Sequence, residues 1–220
     1  MKTILLAGAT GLIGSTTLDL LLKDTRIGRV VALVRKPMPV EHAKLEQWVA
    51  TGDLLTGLKP AHVDAVICCL GTTIRNVGGD KAKFTHVDKD LVVGLARWAK
   101  SNTVPAFAVV SAIGADPDSR IFYSRTKGEM EQEVIAVGLP ATHFFHPSIL
   151  TGPRKEERTG ERIGIALSKL LAPLMVGGMR KYRPMPHDVL AKALINVAVH
   201  GTVGVPRHTY DAIVKLAGRS

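Results

Sequence analysis

Apolar residues come in blocks along the first two thirds of the chain, and the blocks alternate in kind. Short runs that are apolar nearly throughout are separated by longer stretches in which apolar residues recur every three or four positions. The first kind is what a strand covered on both faces looks like, and the second is an amphipathic helix. The pattern predicts strands over residues 2–7, 29–34, 45–50, 63–70, 106–111 and 141–145. It predicts helices over 12–23, where Leu18, Leu21 and Leu22 share a face, over 84–100, and over 119–137, the last closed by Gly138 and Pro140. Strand–helix alternation of this sort builds a parallel sheet with helices on both sides.

After Pro147 the pattern loosens. Residues 151–162 read as a charged, glycine-containing loop, 163–175 as an amphipathic helix, 189–199 as a helix capped by His187 or Asp188, and 209–216 as a short terminal helix. There is no internal repeat, low-complexity stretch or linker. The chain therefore reads as a single domain, residues 1–220, in which the part from about 147 onward forms a small lobe on the substrate side of the sheet.

Composition changes this picture little. The formal net charge is +10, from 29 basic and 19 acidic residues, but the densest basic stretch, 154–162, is interleaved with Glu156, Glu157 and Glu161. With few aromatics available to stack on bases, nucleic acid is not expected as a partner. The charge fits solubility and an affinity for phosphate. No apolar run approaches the roughly 20 residues of a membrane span, and the apolar opening is better explained as a buried first strand than as a signal sequence. The two cysteines, Cys68 and Cys69, are adjacent. Neighbours on a strand point to opposite faces and cannot bridge, and a pair of reduced core thiols predicts a cytoplasmic protein. The histidines are dispersed, and none forms a ligand pair at short helical spacing together with an acid, so no metal is expected.

Candidate chemistry begins where the first strand ends. Gly8-Ala9-Thr10-Gly11-Leu12-Ile13-Gly14 lies between a buried strand and an amphipathic helix. One glycine permits the tight turn, one lets a pyrophosphate approach the backbone, and one lets helix and strand pack closely. The helix N-terminus adds free N–H groups for phosphates. The seven residues are therefore expected to bind a dinucleotide, which makes the fold class an α/β doubly wound parallel sheet of the Rossmann type. An NAD site usually carries an acid at the end of the second strand. This chain has Arg35 and Lys36 there, and a guanidinium meets a 2′-phosphate with a fork of donors, so NADP(H) is expected over NAD(H). Asp53, followed by Leu54, falls where the third strand should end and is placed to accept from an adenine amino group. Leu70, Gly71, Thr72 and Thr73 end the fourth strand beside the same cleft, with the glycine allowing close approach to a ribose and the threonines hydrogen bonding to ribose or phosphate.

Ser111 ends the fifth strand, and Tyr123 and Lys127 lie four residues apart on one face of the following helix. Reducing a carbonyl needs a proton donor, and a phenol with a pKa of about 10 needs about 4 kcal/mol of preferential phenolate stabilisation to work near neutrality. A neighbouring ammonium acts in that direction. Lys127 is thus placed both to acidify Tyr123 and to bind ribose hydroxyls, while Ser111 would hold the substrate carbonyl oxygen. Met175, Met179 and Met185 are candidates for an apolar substrate pocket, and Gly78-Gly79 for a loop over the cofactor.

The glycine motif, Ser111 and Tyr123-Ser-Arg-Thr-Lys127 together resemble the atypical short-chain dehydrogenase/reductases. Cys68-Cys69-Leu70-Gly71-Thr72-Thr73, Val87-Asp88-Lys89-Asp90, Lys127-Gly128-Glu129 and the stretch after the sixth strand are similar to the Tat-interacting oxidoreductase family in particular, over about residues 2–200. The resemblance implies a Rossmann fold, NADPH binding and a Ser–Tyr–Lys site at Ser111, Tyr123 and Lys127. It also implies a family with poorly defined substrates, some of whose members are regulators. Relatives often carry Arg-Pro-Gly where the chain passes the nicotinamide. Here His146-Pro147-Ser148 stands in that place, so a titratable group replaces a permanent cation. The proton-relay asparagine of many short-chain reductases has no assigned counterpart.

The expected function is NADPH-dependent reduction of a small carbonyl compound. Two alternatives remain at this level: an NADP(H) sensor that presents its surface to a protein partner, and an enzyme like the nucleotide-sugar epimerases and dehydratases, for which the C-terminal stretch is short. A protein partner or a homo-oligomer is left open.

Overall fold

The computed structural model describes residues 1–152 and 175–218. Its centre is a seven-stranded, wholly parallel sheet in the order β3-β2-β1-β4-β5-β6-β9. The strands are β1 (Lys2–Ala7), β2 (Ile27–Val34), β3 (Leu45–Val49), β4 (Ala65–Cys68), β5 (Ala106–Val110), β6 (Ala141–Phe145) and the short edge strand β9 (Arg207–His208). A separate two-stranded pair joins β7 (Leu150–Thr151) to β8 (Met185–Pro186). The chain is an α/β doubly wound Rossmann fold.

The continuous apolar runs have a direct cause. Along β1, Ile4 and Leu6 enter one core while Leu5 and Ala7 enter the other, and β2 and β4 divide in the same way. One core is roofed by α1 (Leu12–Lys23), α5 (His187–His200) and α6 (Tyr210–Ala217), and the other by α3 (Leu91–Ser101) and α4 (Phe122–Val137). No residue of β1, β2 or β4 is then exposed, so no polar alternation survives in them. Cys68 and Cys69 show the same division, Cys68 lying in the second core and Cys69 against the first. Both are free thiols.

The expected helix over 84–100 is longer and irregular. It runs as α2 (Lys81–Thr85), a π-helical turn (His86–Asp90) and α3, with Asp80 capping the start by accepting from the amides of Ala82 and Lys83. The π turn inserts a wider loop of backbone, and it carries Asp88. Helix α4 starts at Phe122 rather than Ser119 and ends on Gly138 in the left-handed conformation, φ 71°. Neither His187 nor Asp188 caps α5: the helix begins at His187, its N-cap is Pro186, and no side chain satisfies its first amides. His187 Nδ1 instead donates to the Thr151 carbonyl at 3.1 Å, tying α5 to β7. Met185 is fully buried in the first core and is a packing residue, whereas Met179 is 57% exposed. The expected loop over 151–162 and helix over 163–175 lie, except for Thr151, Gly152 and Met175, outside the described residues.

Candidate dinucleotide and catalytic site

The strand order reverses direction between β1 and β4, and a ligand crevice opens above the carboxyl ends of such a pair. The glycine motif lies there. Gly8 has φ +84°, and a Cβ on it would lie 2.6 Å from the Cys69 carbonyl carbon, so the turns after β1 and β4 abut. A Cβ on Gly14 would lie 2.0 Å from the Gly8 oxygen, which makes this the helix–strand contact. Gly11 is exposed, with nothing closer than 3.5 Å to its Cβ position. Thr10 is exposed and Leu12 half-buried, while the side chains of Ala9 and Ile13 turn into the core, so those two offer only backbone to a ligand. Helix α1 has no side-chain cap and no acid in its first turn. Its free N–H groups and dipole fit a pyrophosphate, and the open face at Gly11 leaves room for one.

Arg35 and Lys36 follow β2 directly and are exposed. Neither pairs with a carboxylate among the described residues. Asp53 is already engaged: it caps a 3₁₀ turn (Leu54–Gly57) through the Leu55 amide at 2.9 Å and pairs with His86 Nε2 at 2.8 Å. Leu54 is buried in the second core. Beyond β4, Leu70 is half-buried and Gly71 exposed. A Cβ on Gly71 would sit 3.4 Å from Asp88 Oδ1 and 3.9 Å from Lys127 Nζ. The Thr72 amide donates to Asp88 Oδ2 at 2.7 Å, and Thr73 Oγ1 accepts from the Asn76 amide at 3.2 Å.

Tyr123 and Lys127 share one face of α4, as the spacing requires. Tyr123 is 43% exposed, with its ring centroid 5.9 Å from that of Phe84. Lys127 is buried, and its Nζ forms a 2.8 Å ion pair with Asp88, itself 1% exposed. The expected acidification of Tyr123 is not present. Partial burial pushes the phenol above its ordinary value, and of the two charges nearby Lys127 pulls down while Asp88 pushes back up. The Lys127 ammonium is held above its usual range: burial works against the charge, but Asp88 together with Tyr123 and Cys68 outweighs it.

Ser111, buried at the end of β5, donates to Glu131 Oε1 at 2.5 Å. Its one proton therefore points inward and leaves lone pairs for any ligand. Glu131 is 2% exposed and takes two further donors, His146 Nε2 at 2.7 Å and Arg207 Nε at 2.8 Å. Burial raises its carboxyl pKa, but the hydrogen bonds from His146, Ser111 and Arg207 outweigh burial and hold it below the ordinary value. His146 thus spends its Nε2 on Glu131. Pro147 is buried, and its carbonyl accepts from the Ile113 amide at 3.1 Å.

A family model described as NAD(P)H-binding matches residues 8–163. The chain belongs to this NAD(P)H-binding family. Among curated relatives of this family member, "Protein FMP52, mitochondrial" of Eremothecium gossypii is 34% identical over 170 residues, covering 76% of this chain and 75% of that one. "Protein HTATIP2" of Rattus norvegicus is 32% identical over 165 residues, covering 73% and 67%. Human epimerase family protein SDR39U1, solved with NADPH, has a TM-score of 0.64 at 19% identity, covering 94% of this chain and 74% of that one. MoeE5, solved with UDP-glucose and NAD, reaches 0.67 at 17% identity, covering 98% and 80%. These two structures share the fold. The relatives named mitochondrial overturn the cytoplasmic expectation. Buried thiols that cannot reach each other report strand geometry, not compartment.

Three residues of this NAD(P)H-binding protein's site were given no role by the sequence reading: Asp88, Glu131 and Arg207. Glu131 follows Lys127 by four positions and Tyr123 by eight, so an acid on the face of the Tyr–Lys pair was a readable signal. Asp88 needs the π turn to reach Lys127, and Arg207 needs β9, which has two residues.

Proposed function

We propose that this chain is an NADPH-dependent oxidoreductase that reduces a small carbonyl compound, with Tyr123 as proton donor. One observation carries the reading: a Cβ placed on Gly71, in the turn that bounds the dinucleotide crevice, would sit 3.9 Å from the Lys127 ammonium, one helical turn from Tyr123. A protonating group and a cofactor crevice thus share one wall. Bound NADPH supplies the hydride. On the protein side, Tyr123 gives its proton to the oxygen that becomes the alcohol, and Lys127 stands beside the open face at Gly71 to hold ribose hydroxyls. Ser111, its own proton directed at Glu131, offers lone pairs that accept from the product hydroxyl. NADPH oxidation against a panel of aldehydes and ketones tests the reading. A protein that binds NADPH tightly but oxidises it with no member of the panel contradicts it.

The cofactor preference rests on Arg35 and, beside it, Lys36. A charge-assisted hydrogen bond at an exposed position is worth about 1.5 kcal/mol, roughly tenfold in affinity. Arg35→Ala is expected to weaken NADPH about tenfold and leave NADH little changed, measured by fluorescence titration of both nucleotides. Equal weakening of the two would remove Arg35 from the 2′-phosphate site.

A further inference from the structure

Asp88 has no free oxygen. Oδ1 holds the Lys127 ammonium at 2.8 Å and Oδ2 holds the Thr72 amide at 2.7 Å. Carboxylate and ammonium side chains are 1% and 4% exposed, so the pair is largely shielded from bulk water. Each charge needs the other there, because an isolated buried ion is far costlier than a paired one. Around them, α2 contributes the apolar ring of Phe84 against Tyr123, and β4 contributes Cys68 beside Lys127. The Cys68 thiol is pushed up to about 12 by burial and stays neutral. Among the described residues, the charges that act on Tyr123 are therefore Lys127 from its own helix and Asp88 from the π turn.

With Tyr123 as phenol, the three groups sum to zero. Removing the phenol proton leaves a net negative charge in a partly dry site. If Asp88 were neutral, the same proton loss would take the cluster from net positive to zero, which is easier.

We propose that Asp88 is a positioning residue that closes the Lys127 charge into an ion pair and so keeps Tyr123 a neutral phenol, ready to give a proton rather than take one. The pairing stands on geometry alone, while its consequence for reaction direction rests on the oxidoreductase reading above. In reduction the carbonyl carbon gains hydride from the dihydronicotinamide and its oxygen gains the Tyr123 proton. The tyrosinate then recovers a proton from water. Oxidation of an alcohol would need tyrosinate at the outset, the state that Asp88 disfavours.

The test is ultraviolet titration of tyrosinate, which needs neither substrate nor cofactor. Subtracting the Tyr123→Phe titration, and for each Asp88 or Lys127 variant that of its Tyr123→Phe counterpart, isolates Tyr123 from Tyr182 and Tyr210. In Asp88→Asn the Tyr123 midpoint is expected to fall by about one pH unit or more. In the double variant Asp88→Asn/Lys127→Met, which leaves no lone buried charge and so keeps the fold, the midpoint is expected to stay within about half a unit of wild type. An unchanged or raised midpoint in the single variant overturns the proposal. So does a clear rise in the double variant, which would mean that Lys127 acts on Tyr123 uncompensated. Because turnover is not read, a failed carbonyl panel leaves this result standing, and the reverse holds too.

Discussion

Tyr123→Phe is expected to lower turnover by roughly 10²–10⁴-fold, the contribution typical of a positioned general acid, while NADPH affinity stays within about twofold. The substitution removes one hydroxyl and keeps the ring, so the contact with Phe84 survives and the buried Lys127–Asp88 pair is untouched. Nothing in the glycine turn or at Arg35 depends on the phenol. The measurement is steady-state NADPH oxidation on whichever carbonyl the wild type accepts, with a fluorescence titration of NADPH on the same preparations. A loss of affinity matching the loss of rate would make Tyr123 a binding residue. Undiminished rate would remove it from the chemistry.

Glu131→Ala is expected to cost about 3–5 kcal/mol of stability, the range for removing one partner of a buried charged cluster. Most of that loss falls on Ser111 and His146, which lie in the interior and lose their acceptor together. Arg207 contributes less, since its side chain is 48% exposed and water can replace the carboxylate. A loss of this size is a large part of the total stability of a domain, about 5–15 kcal/mol. The pH dependence has a definite sign. The Glu131 pKa is lower in the folded state than its ordinary value of 4.5, so its contribution is present in full above that value and is lost as pH falls through the folded one. Urea unfolding of wild type and variant should therefore differ most near neutrality, and the gap should narrow in acid. A gap that is constant with pH would mean that Glu131 acts through packing and not through its charge.

What could be read from the sequence, and what could not, divides along physical lines. Strands β1, β2, β4, β5 and β6 announce themselves because each is buried on both faces, and such burial removes polar residues in sequence as well as in space. The glycine motif is equally plain, since Gly8 and Gly14 stand where a Cβ would collide with backbone. Tyr123 and Lys127 are joined by helical spacing alone. Asp88 and Glu131 belong to another class. Buried carboxylates are rare enough that an acid in sequence reads as surface; the spacing of Glu131 marks the face it shares with Lys127, but only the tertiary fold supplies the partners of either acid. Strand β9 is two residues long and carries no pattern, yet it brings Arg207 to Glu131. The cap expected at His187 or Asp188 fails for a related reason: β8 runs straight into the helix, and the Thr151 carbonyl takes the imidazole that a free helix end would have used.

The central claim is that hydride leaves NADPH for a carbonyl carbon at the crevice bounded by Gly71 and Lys127. Its most direct test uses NADPH carrying deuterium at the transferable position of the nicotinamide, incubated with the carbonyl panel, and mass spectrometry of the products. The account predicts an alcohol with one deuterium for each NADPH consumed, at a rate that collapses in Tyr123→Phe. Saturated NADPH binding with no deuterium in any product would contradict it and leave a protein that reads the nucleotide without using it.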